Sequence, residues 1–542
     1  MQGLTLAKRG WLLLIVLCAF SYSFGLGRAP LVGSDEPRYA EVAREMFQRG
    51  DWVTPTLGGH TWFEKPALVY WAAMASYKLF GVAEWPARLG ALCAALLTVL
   101  IAGWLAGRIE TAAGASLRGF KLIVTGVTAT CSGVMVFARA MNFDIFVTCA
   151  VTCALACFCA AEVERDERRR RWLLAGFYAA MGAGLLAKGL VGVVLPVGVV
   201  GLYYLLRRRW PSVWPTLLWG VPLTLAVAGL WYAPVIARNG WTFINEFFIQ
   251  HHFARYVSNK YHHPQPFYFY LPVLAALMLP WTAFLVSALI RARHWRWRGD
   301  EPQDKLRLLA LAWVVVPVAF FSLSGSKLPG YILPALPGAA LLAGEPLLNY
   351  LRGACERATM RATGLLLLIF AACVIGYVSR THAVSLTCAS FVAAPPTLVG
   401  LLALAWPQRR RFCAWGTLAA ALGVVVIIVA CALAPVARRE SVRDLLQQAG
   451  ARGYANEPIY CLHAIERTAE FYGAGRLAYD EQGEPVKLEG AGEVAAVAQA
   501  HGGAVLVLVP VEYVRQLTRY PWLTTEVIGD NDATALVVAQ MR

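Results

Sequence analysis

The sequence predicts a polytopic α-helical membrane protein of about thirteen transmembrane helices, with a small α/β domain at its C-terminal end. Three observations predict it. Of 542 residues, 58% are hydrophobic and only 15% are charged, where a soluble domain carries about 25% charged residues. Many apolar stretches approach the ~20 residues that cross a bilayer as helix. The net charge of +16 is gathered in short clusters between those stretches, the distribution that orients a chain in a membrane. In a soluble protein such a charge would suggest nucleic acid; here it is a topology signal, and nucleic acid is excluded as a partner.

The expected spans are 10–27, 88–107, 121–137, 145–161, 172–187, 190–206, 216–237, 269–290, 306–321, 331–347, 362–378, 385–406 and 414–435. Lys8-Arg9 followed by an apolar run to about Leu26 imitates a signal peptide, but no small-residue cleavage site follows, so the run reads as a retained first helix. An odd number of spans puts the termini on opposite sides. Lys8-Arg9, Glu162–Arg171, Arg207–Arg209, Arg291–Arg298 and Arg409–Arg411 all fall on one side, and placing that side in the cytoplasm satisfies the positive-inside rule. The chain is therefore expected N-in and C-out. Alkaline phosphatase fused after Arg542 should be active and fused after Arg209 silent; a stably inserted but inactive C-terminal fusion would overturn the placement of every outer residue discussed below.

This divides the chain into a transmembrane domain over 1–435, with outer loops 28–87 and 238–265, and a soluble periplasmic domain over 436–542. In the latter, apolar runs at Ile459–Leu462, Val505–Val509 and Ala535–Val538 read as strands, and Ile465–Tyr472 and Val511–Leu517 as helices. It carries no catalytic motif. Cys149, Cys153, Cys157 and Cys159 sit inside an apolar span with no matching histidines and read as small packing residues. Only Cys461 lies in the tail, which implies no disulfide framework there.

The residues that could do chemistry concentrate on the outer side. Gly33–Tyr39 (GSDEPRY) opens a helix: Ser34 or Asp35 is a good N-cap and Pro37 fits the first turn. Tyr39, Val42, Ala43 and Met46 share one apolar face, Glu45 and Arg49 form an i,i+4 pair, and Gly50 ends the helix, which is expected to lie at the membrane surface. Asp35 and Glu36 stand at its start, with capping as the plain alternative. In Phe63-Glu64-Lys65-Pro66, Pro66 is the expected first residue of a helix to about Leu79. Lys65 at its N-terminus makes an anion site suited to phosphate; simple pairing of Lys65 with Glu64 is the alternative. Ser326–Tyr331 (SKLPGY) puts Lys327 in a short turn at bilayer-edge depth, where a cation is costly unless paired, hydrated or snorkelling. Asp144, in the turn Met141–Asp144, and Lys188, between two apolar helices, have the same location. The segment Gln250–Gln265 adds His251, His252, Arg255, His262 and His263, and its histidines with Glu64 could hold a divalent ion, Zn or Mg, although the spacing matches no closed metal site. Five cations (Arg38, Lys65, Lys188, Arg255, Lys327) and several carboxylates at headgroup depth suit a phosphate-bearing lipid. Nucleotide sugars are not expected outside the cytoplasm, so a sugar there would arrive on a lipid phosphate.

The early D-E-x-R-Y-A-E loop, the following F-E-K-P, an aspartate after the third span and the late K-L-P-x-Y turn together resemble one family. It is the bacterial 4-amino-4-deoxy-L-arabinose lipid A transferases, relatives of the protein O-mannosyltransferases with the class C glycosyltransferase fold. The likeness runs over nearly the whole chain. It implies an inner-membrane enzyme with undecaprenyl phosphate-linked aminoarabinose as donor and a lipid A phosphate as acceptor, the modification that confers resistance to cationic peptides such as polymyxin. By motif, it implies a catalytic set of Asp35, Glu36 and Asp144, and donor-phosphate contacts from Lys65, Arg38, Tyr39, Lys188, Arg255, Lys327 and Tyr331. It also implies a metal at Glu64 with His251 or His252. His263-Pro264-Gln265-Pro266 lacks an arginine that some relatives place after the histidine, so one phosphate contact is missing or replaced. The rivals are another lipid-linked sugar transferase, such as a protein O-mannosyltransferase with Asp35 as base, and a lipid or sugar transporter. A transporter typically places its ionisable residues near the midplane, whereas here they gather at one face.

Overall fold

The computed structural model describes residues 2–209, 213–247, 265–354 and 356–542, with side chains from residue 10 onward. They form two compact units: Met1–Phe24, Glu64–Val69 and Gly90–Ile428 in one, and Gly25–Phe63, Tyr70–Leu89 and Val429–Arg542 in the other. The first outer loop, read from the sequence as part of the transmembrane domain, thus packs largely with the tail. That contact puts loop and tail on the same side of the membrane.

The first unit is helical. Eight helices among the described residues are long and apolar enough to cross a membrane, nine if the pair Tyr270–Leu277 and Thr282–His294, bent by 119°, counts as one span. Three further apolar helices add to them: Gln2–Ser23, Phe120–Thr130 and Val191–Arg207. Part of the difference from the expected thirteen lies in breaks within two of the stretches. The stretch 121–137 divides at Cys131 into Phe120–Thr130 and Ser132–Phe137. The stretch 269–290 divides before Pro280, which offers no N–H to continue a helix. The two breaks meet: Ser132 donates from its N–H to the Leu279 carbonyl at 2.9 Å and from its hydroxyl to that of Ala276 at 2.6 Å. Backbone groups freed inside lipid are thereby satisfied within the protein, as a bilayer demands. Leu365, Ile369, Leu398 and Leu401 stay exposed on Arg357–Thr381 and Leu386–Ala405, the surface that faces hydrocarbon.

Two helices matter for the site. Phe143–Val163 starts at Asn142, whose side chain accepts from the Ile145 N–H at 2.9 Å, so Asp144 falls in the first turn. Glu167–Lys188, capped by Asp166, ends on Lys188 and turns back into Val191–Arg207 within two residues. The backbones of Gly184 and Gly192 touch across that turn, and neither position has room for a Cβ. The turn holds Lys188 at the end of an apolar helix. On the opposite, basic loops, several cations counted as topology signals are also structural: Arg207 is buried, bonding the Tyr203 hydroxyl at 2.8 Å and Asp300 at 2.6 Å.

In the second unit, five strands form a mixed sheet in the order β4-β3-β5-β7-β6. They are β3 (Ile459–Leu462), β4 (Lys487–Leu488), β5 (Val505–Pro510), β6 (Leu523–Asp530) and β7 (Thr534–Met541), after a small hairpin of β1 (Thr56–Leu57) and β2 (His60–Thr61). β3 runs parallel to β4 and β5; β7 runs antiparallel to β5 and β6. Val505, Val507 and Val509 of β5 face a core with Val494 and Ala498 of the helix Ala491–His501. Leu506 and Leu508 face the other, with Leu445 and Leu446 of Arg443–Ala451 and Ala469 of Thr468–Tyr472. A strand buried on both faces reads as an unbroken apolar run, which is why β5 was legible.

The helix Glu36–Arg49 packs against Thr468–Tyr472 in this unit. Tyr39, Val42, Ala43 and Met46 are buried, so its apolar face is covered by protein and not by the membrane surface the sequence suggested. The expected Glu45–Arg49 pair is also replaced. Glu45 accepts from the Thr56 hydroxyl and the Gly58 N–H, each at 2.6 Å, and from the Gly59 N–H at 3.3 Å. The hairpin β1–β2 presents three donors, and a carboxylate fixing three of them outcompetes an exposed i,i+4 pair worth ~0.2–0.5 kcal/mol. Arg49 turns instead toward Asp51 and the Thr54 carbonyl.

Candidate active site

In the helical unit the structure brings together Asp144, Lys188 and Tyr331. Asp144 and Lys188 form an ion pair, each side chain less than one-fifth exposed, and the Lys188 Nζ lies 4.5 Å from the centre of the Tyr331 ring. A lysine at the end of an apolar helix is thus neutralised by a carboxylate and covered by an aromatic face. Gly330 makes room for this: a Cβ there would stand 2.6 Å from an Asp144 carboxylate oxygen and 2.7 Å from the Phe137 ring. Lys327 does not reach that cluster. It is buried and donates to the Ser324 carbonyl at 2.6 Å within its own turn, instead of snorkelling to headgroups. Tyr270 braces the turn by donating to the Leu328 carbonyl at 3.2 Å.

Lys65 donates to Glu64 at 2.8 Å, with both side chains 13% exposed. The following helix begins at Leu68, two residues later than Pro66 would give. Lys65 therefore sits in the lead-in to the helix, beside a carboxylate.

The other unit holds Asp35, Glu36, Arg38 and Tyr39. Asp35 is the N-cap residue by position, but its side chain makes no capping bond and stays exposed. Glu36 is buried against Arg88, accepting from Nε at 2.7 Å and from Nη2 at 2.8 Å. Arg88 also donates to the carbonyls of Leu26, Ala29 and Pro30, at 2.8–2.9 Å. Glu36 is therefore engaged in holding the chain between the first helix and Asp35. Sequence reasoning missed Arg88, and the one signal for it was a charge at the mouth of an otherwise apolar span. Tyr39 is buried. Arg38 lies over the Trp62 ring at 5.1 Å and pairs with Glu470 at 3.5 Å. Glu41, beside Arg44, has its carboxyl pushed up to about 7 by burial, which outweighs the pull of that arginine.

Arg139 was also missed. Its guanidinium donates to the carbonyls of Ser21, Tyr22 and Phe24, at 2.7–3.1 Å, closing the C-terminal end of the first helix. Arg255, His251, His252, His262 and His263 lie outside the described residues. Among the described residues no group of three or more His, Cys, Asp or Glu gathers as metal donors. Glu64 is the one expected ligand placed, and it already faces Lys65.

Residues 31–245 match the family described as dolichyl-phosphate-mannose-protein mannosyltransferase. An undecaprenyl phosphate-alpha-4-amino-4-deoxy-L-arabinose arabinosyl transferase of Pseudomonas paraeruginosa is 36% identical over 365 residues, 66% of this chain and 63% of that one. The protein of the same name from Erwinia tasmaniensis is 35% identical over 336 residues, 61% and 58% of the two chains. The chain thus spans about three-fifths of the length of these relatives. The crystal structure of ArnT from Cupriavidus metallidurans bound to undecaprenyl phosphate superposes with a TM-score of 0.77 at 25% identity, covering 98% of both chains. The chain has the class C glycosyltransferase fold. It is similar to the arabinosyl transferases over about two-thirds of its own length. An Archaeoglobus fulgidus oligosaccharyltransferase, 13% identical with a TM-score of 0.53 over 93% of this chain and 70% of that one, shares the fold alone. The expected fold class therefore holds, and the chain is a multi-pass membrane protein.

Proposed function

We propose that the protein transfers 4-amino-4-deoxy-L-arabinose from undecaprenyl phosphate to a phosphate of lipid A at the periplasmic face of the bacterial inner membrane. The observation that carries this reading is the superposition of 98% of the chain on ArnT bound to undecaprenyl phosphate, supported by relatives at 33–36% identity that bear the arabinosyl transferase name. The site chemistry agrees with it. Lys65 and Arg38 are assigned to the donor phosphate, with Lys188, Lys327, Tyr39, Tyr331 and Arg255 in support, and Asp35 and Asp144 to the acceptor or the amino sugar.

The reaction needs no obligatory base. A lipid A phosphomonoester has a second pKa of about 6 and is largely a dianion near neutrality. One of its oxygens attacks the anomeric carbon, the bond from that carbon to the undecaprenyl phosphate oxygen breaks, and undecaprenyl phosphate leaves as a monoester dianion. A monoester becomes a diester on one lipid while the reverse happens on the other, so charge balances without proton transfer. The protein's task is then positioning and stabilisation of phosphate charge. A divalent ion at Glu64 with His251 or His252 belongs to the proposal only as an addition. The described residues supply a single donor for it, one already facing a lysine, and no step is routed through it.

The test is transfer from a defined undecaprenyl-phosphate sugar by purified protein in lipid, with three acceptors at neutral pH. Lipid A should accept; enzymatically dephosphorylated lipid A and Ser/Thr peptides should not. Sugar on the peptide and not on lipid A would move the assignment to the O-mannosyltransferase branch and make Asp35 the base.

A further inference from the structure

We infer that Glu470, in the C-terminal domain, is a positioning residue for Arg38 and thereby for the donor phosphate; this rests on the reading of Arg38 given above. The Glu470 side chain is fully buried and that of Arg38 is 12% exposed. Among the described residues the Arg38 Nε and the Glu470 Oε2 have no partner but each other, an ion pair at 3.5 Å. The other Glu470 oxygen accepts from Arg467 Nη1 at 2.8 Å, and Arg467 Nη2 reaches Glu484 at 2.9 Å. Trp62 covers the guanidinium face at 5.1 Å. Arg38 is therefore ion-paired on its Nε side and covered on one face, while its Nη groups make no hydrogen bond among the described residues. A guanidinium held by its inner edge and one face has its outer fork fixed in direction, the geometry for bidentate capture of a phosphate.

The obvious alternative is that the pair merely docks the tail onto the first loop. Docking is already provided by neighbours that do not touch Arg38. Arg44 donates to the Phe471 carbonyl at 2.9 Å, the Leu31 N–H donates to the Tyr472 hydroxyl at 2.6 Å, and Tyr472 and Arg443 both reach Glu84 at 3.2 Å. A wholly buried carboxylate is a costly addition to such a dock, and burial pushes the Glu470 carboxyl up against the pull of Arg38 and Arg467. What it supplies beyond those contacts is the direction of Arg38. The small α/β domain then acts on the donor site through one side chain.

The experiment measures undecaprenyl phosphate binding to the full-length protein in nanodiscs, together with the thermal midpoint. Glu470→Gln should raise the Kd about 10-fold or more, within the ~10²-fold that a 1 Å misplacement can cost. Glu470→Asp, which keeps the charge and retracts it by one methylene, should fall between and serves in its place if Glu470→Gln does not fold. In an Arg38→Ala background Glu470→Gln should have no further effect, the signature of residues acting as one unit. Tyr472→Phe, which removes two docking bonds only, should lower the midpoint and leave the Kd unchanged. Equal effects of Glu470→Gln with and without Arg38, or a Kd shift in Tyr472→Phe as large as in Glu470→Gln, would overturn the inference. Wild-type protein that does not bind undecaprenyl phosphate would instead overturn the proposed function.

Discussion

Lys65→Ala should lower transfer by about 10²–10³-fold in protein that still inserts and folds, the cost of losing one preorganised electrostatic contact at a centre where charge develops. As the sugar leaves, the donor phosphate passes from one negative charge toward two. Lys65 is only 13% exposed, so its charge is poorly screened by water and acts strongly on a phosphate drawn up beside it. Glu64 accepts from the ammonium at 2.8 Å and holds it in place. Removing the lysine deletes the attraction and leaves a carboxylate facing the phosphate without its lysine, so two effects of the same sign add. Lys65→Arg should recover little. A planar fork spreads the charge that an ammonium concentrates on one atom, and the adjacent Pro66 and the helix start at Leu68 restrict how the backbone could adapt. The measurement is single-turnover transfer to lipid A alongside a thermal midpoint. Near-wild-type turnover by folded Lys65→Ala would remove Lys65 from the donor site.

Much of this was legible in the sequence because membrane helices announce themselves by length. Where a stretch was apolar and unbroken, as at 143–163 or 357–381, the expected span and the observed helix agree closely. The sequence was silent on breaks inside apolar runs. Cys131 carries no helix-breaking signal, and Pro280 alone does not distinguish a kink from a 119° turn. In the tail, β5 was readable from its buried run, whereas the edge strand β6, with Thr524, Thr525 and Glu526, looks like a polar loop until β7 lies beside it. Among site residues, the pairing of Glu64 with Lys65 was foreseeable as the simple alternative because they are neighbours. The partners of Glu36, Glu45 and Arg38 were not, since Arg88, the hairpin β1–β2 and Glu470 reach them only through the tertiary fold. Local pattern identified the charged residues worth attention but could not say which were already engaged.

The Asp144–Lys188 pair yields the other large expected effect, and a double substitution separates its two possible roles. Each side chain is less than one-fifth exposed at the end of an apolar helix. Breaking such a pair from one side leaves a charge in a poorly solvated place, which costs about 3–5 kcal/mol when fully buried and less here in proportion to the exposure. Lys188→Met should therefore lower both stability and transfer, the latter by about 10²-fold or more, and Asp144→Asn should do the same more mildly because an amide keeps the shape. Gly330→Ala should reproduce part of the loss without touching either charge, since its Cβ would crowd the Asp144 carboxylate. The decisive variant is Asp144→Asn with Lys188→Met. It removes both charges, so the thermal midpoint should return close to wild type, as replacing a whole buried pair is often neutral. On the proposed assignment transfer should not return, because that reading asks Lys188 for a cation beside phosphate and Asp144 to place the acceptor or the amino sugar. Recovery of transfer together with stability would show that the pair only braces the helices and would remove both residues from the proposed chemistry.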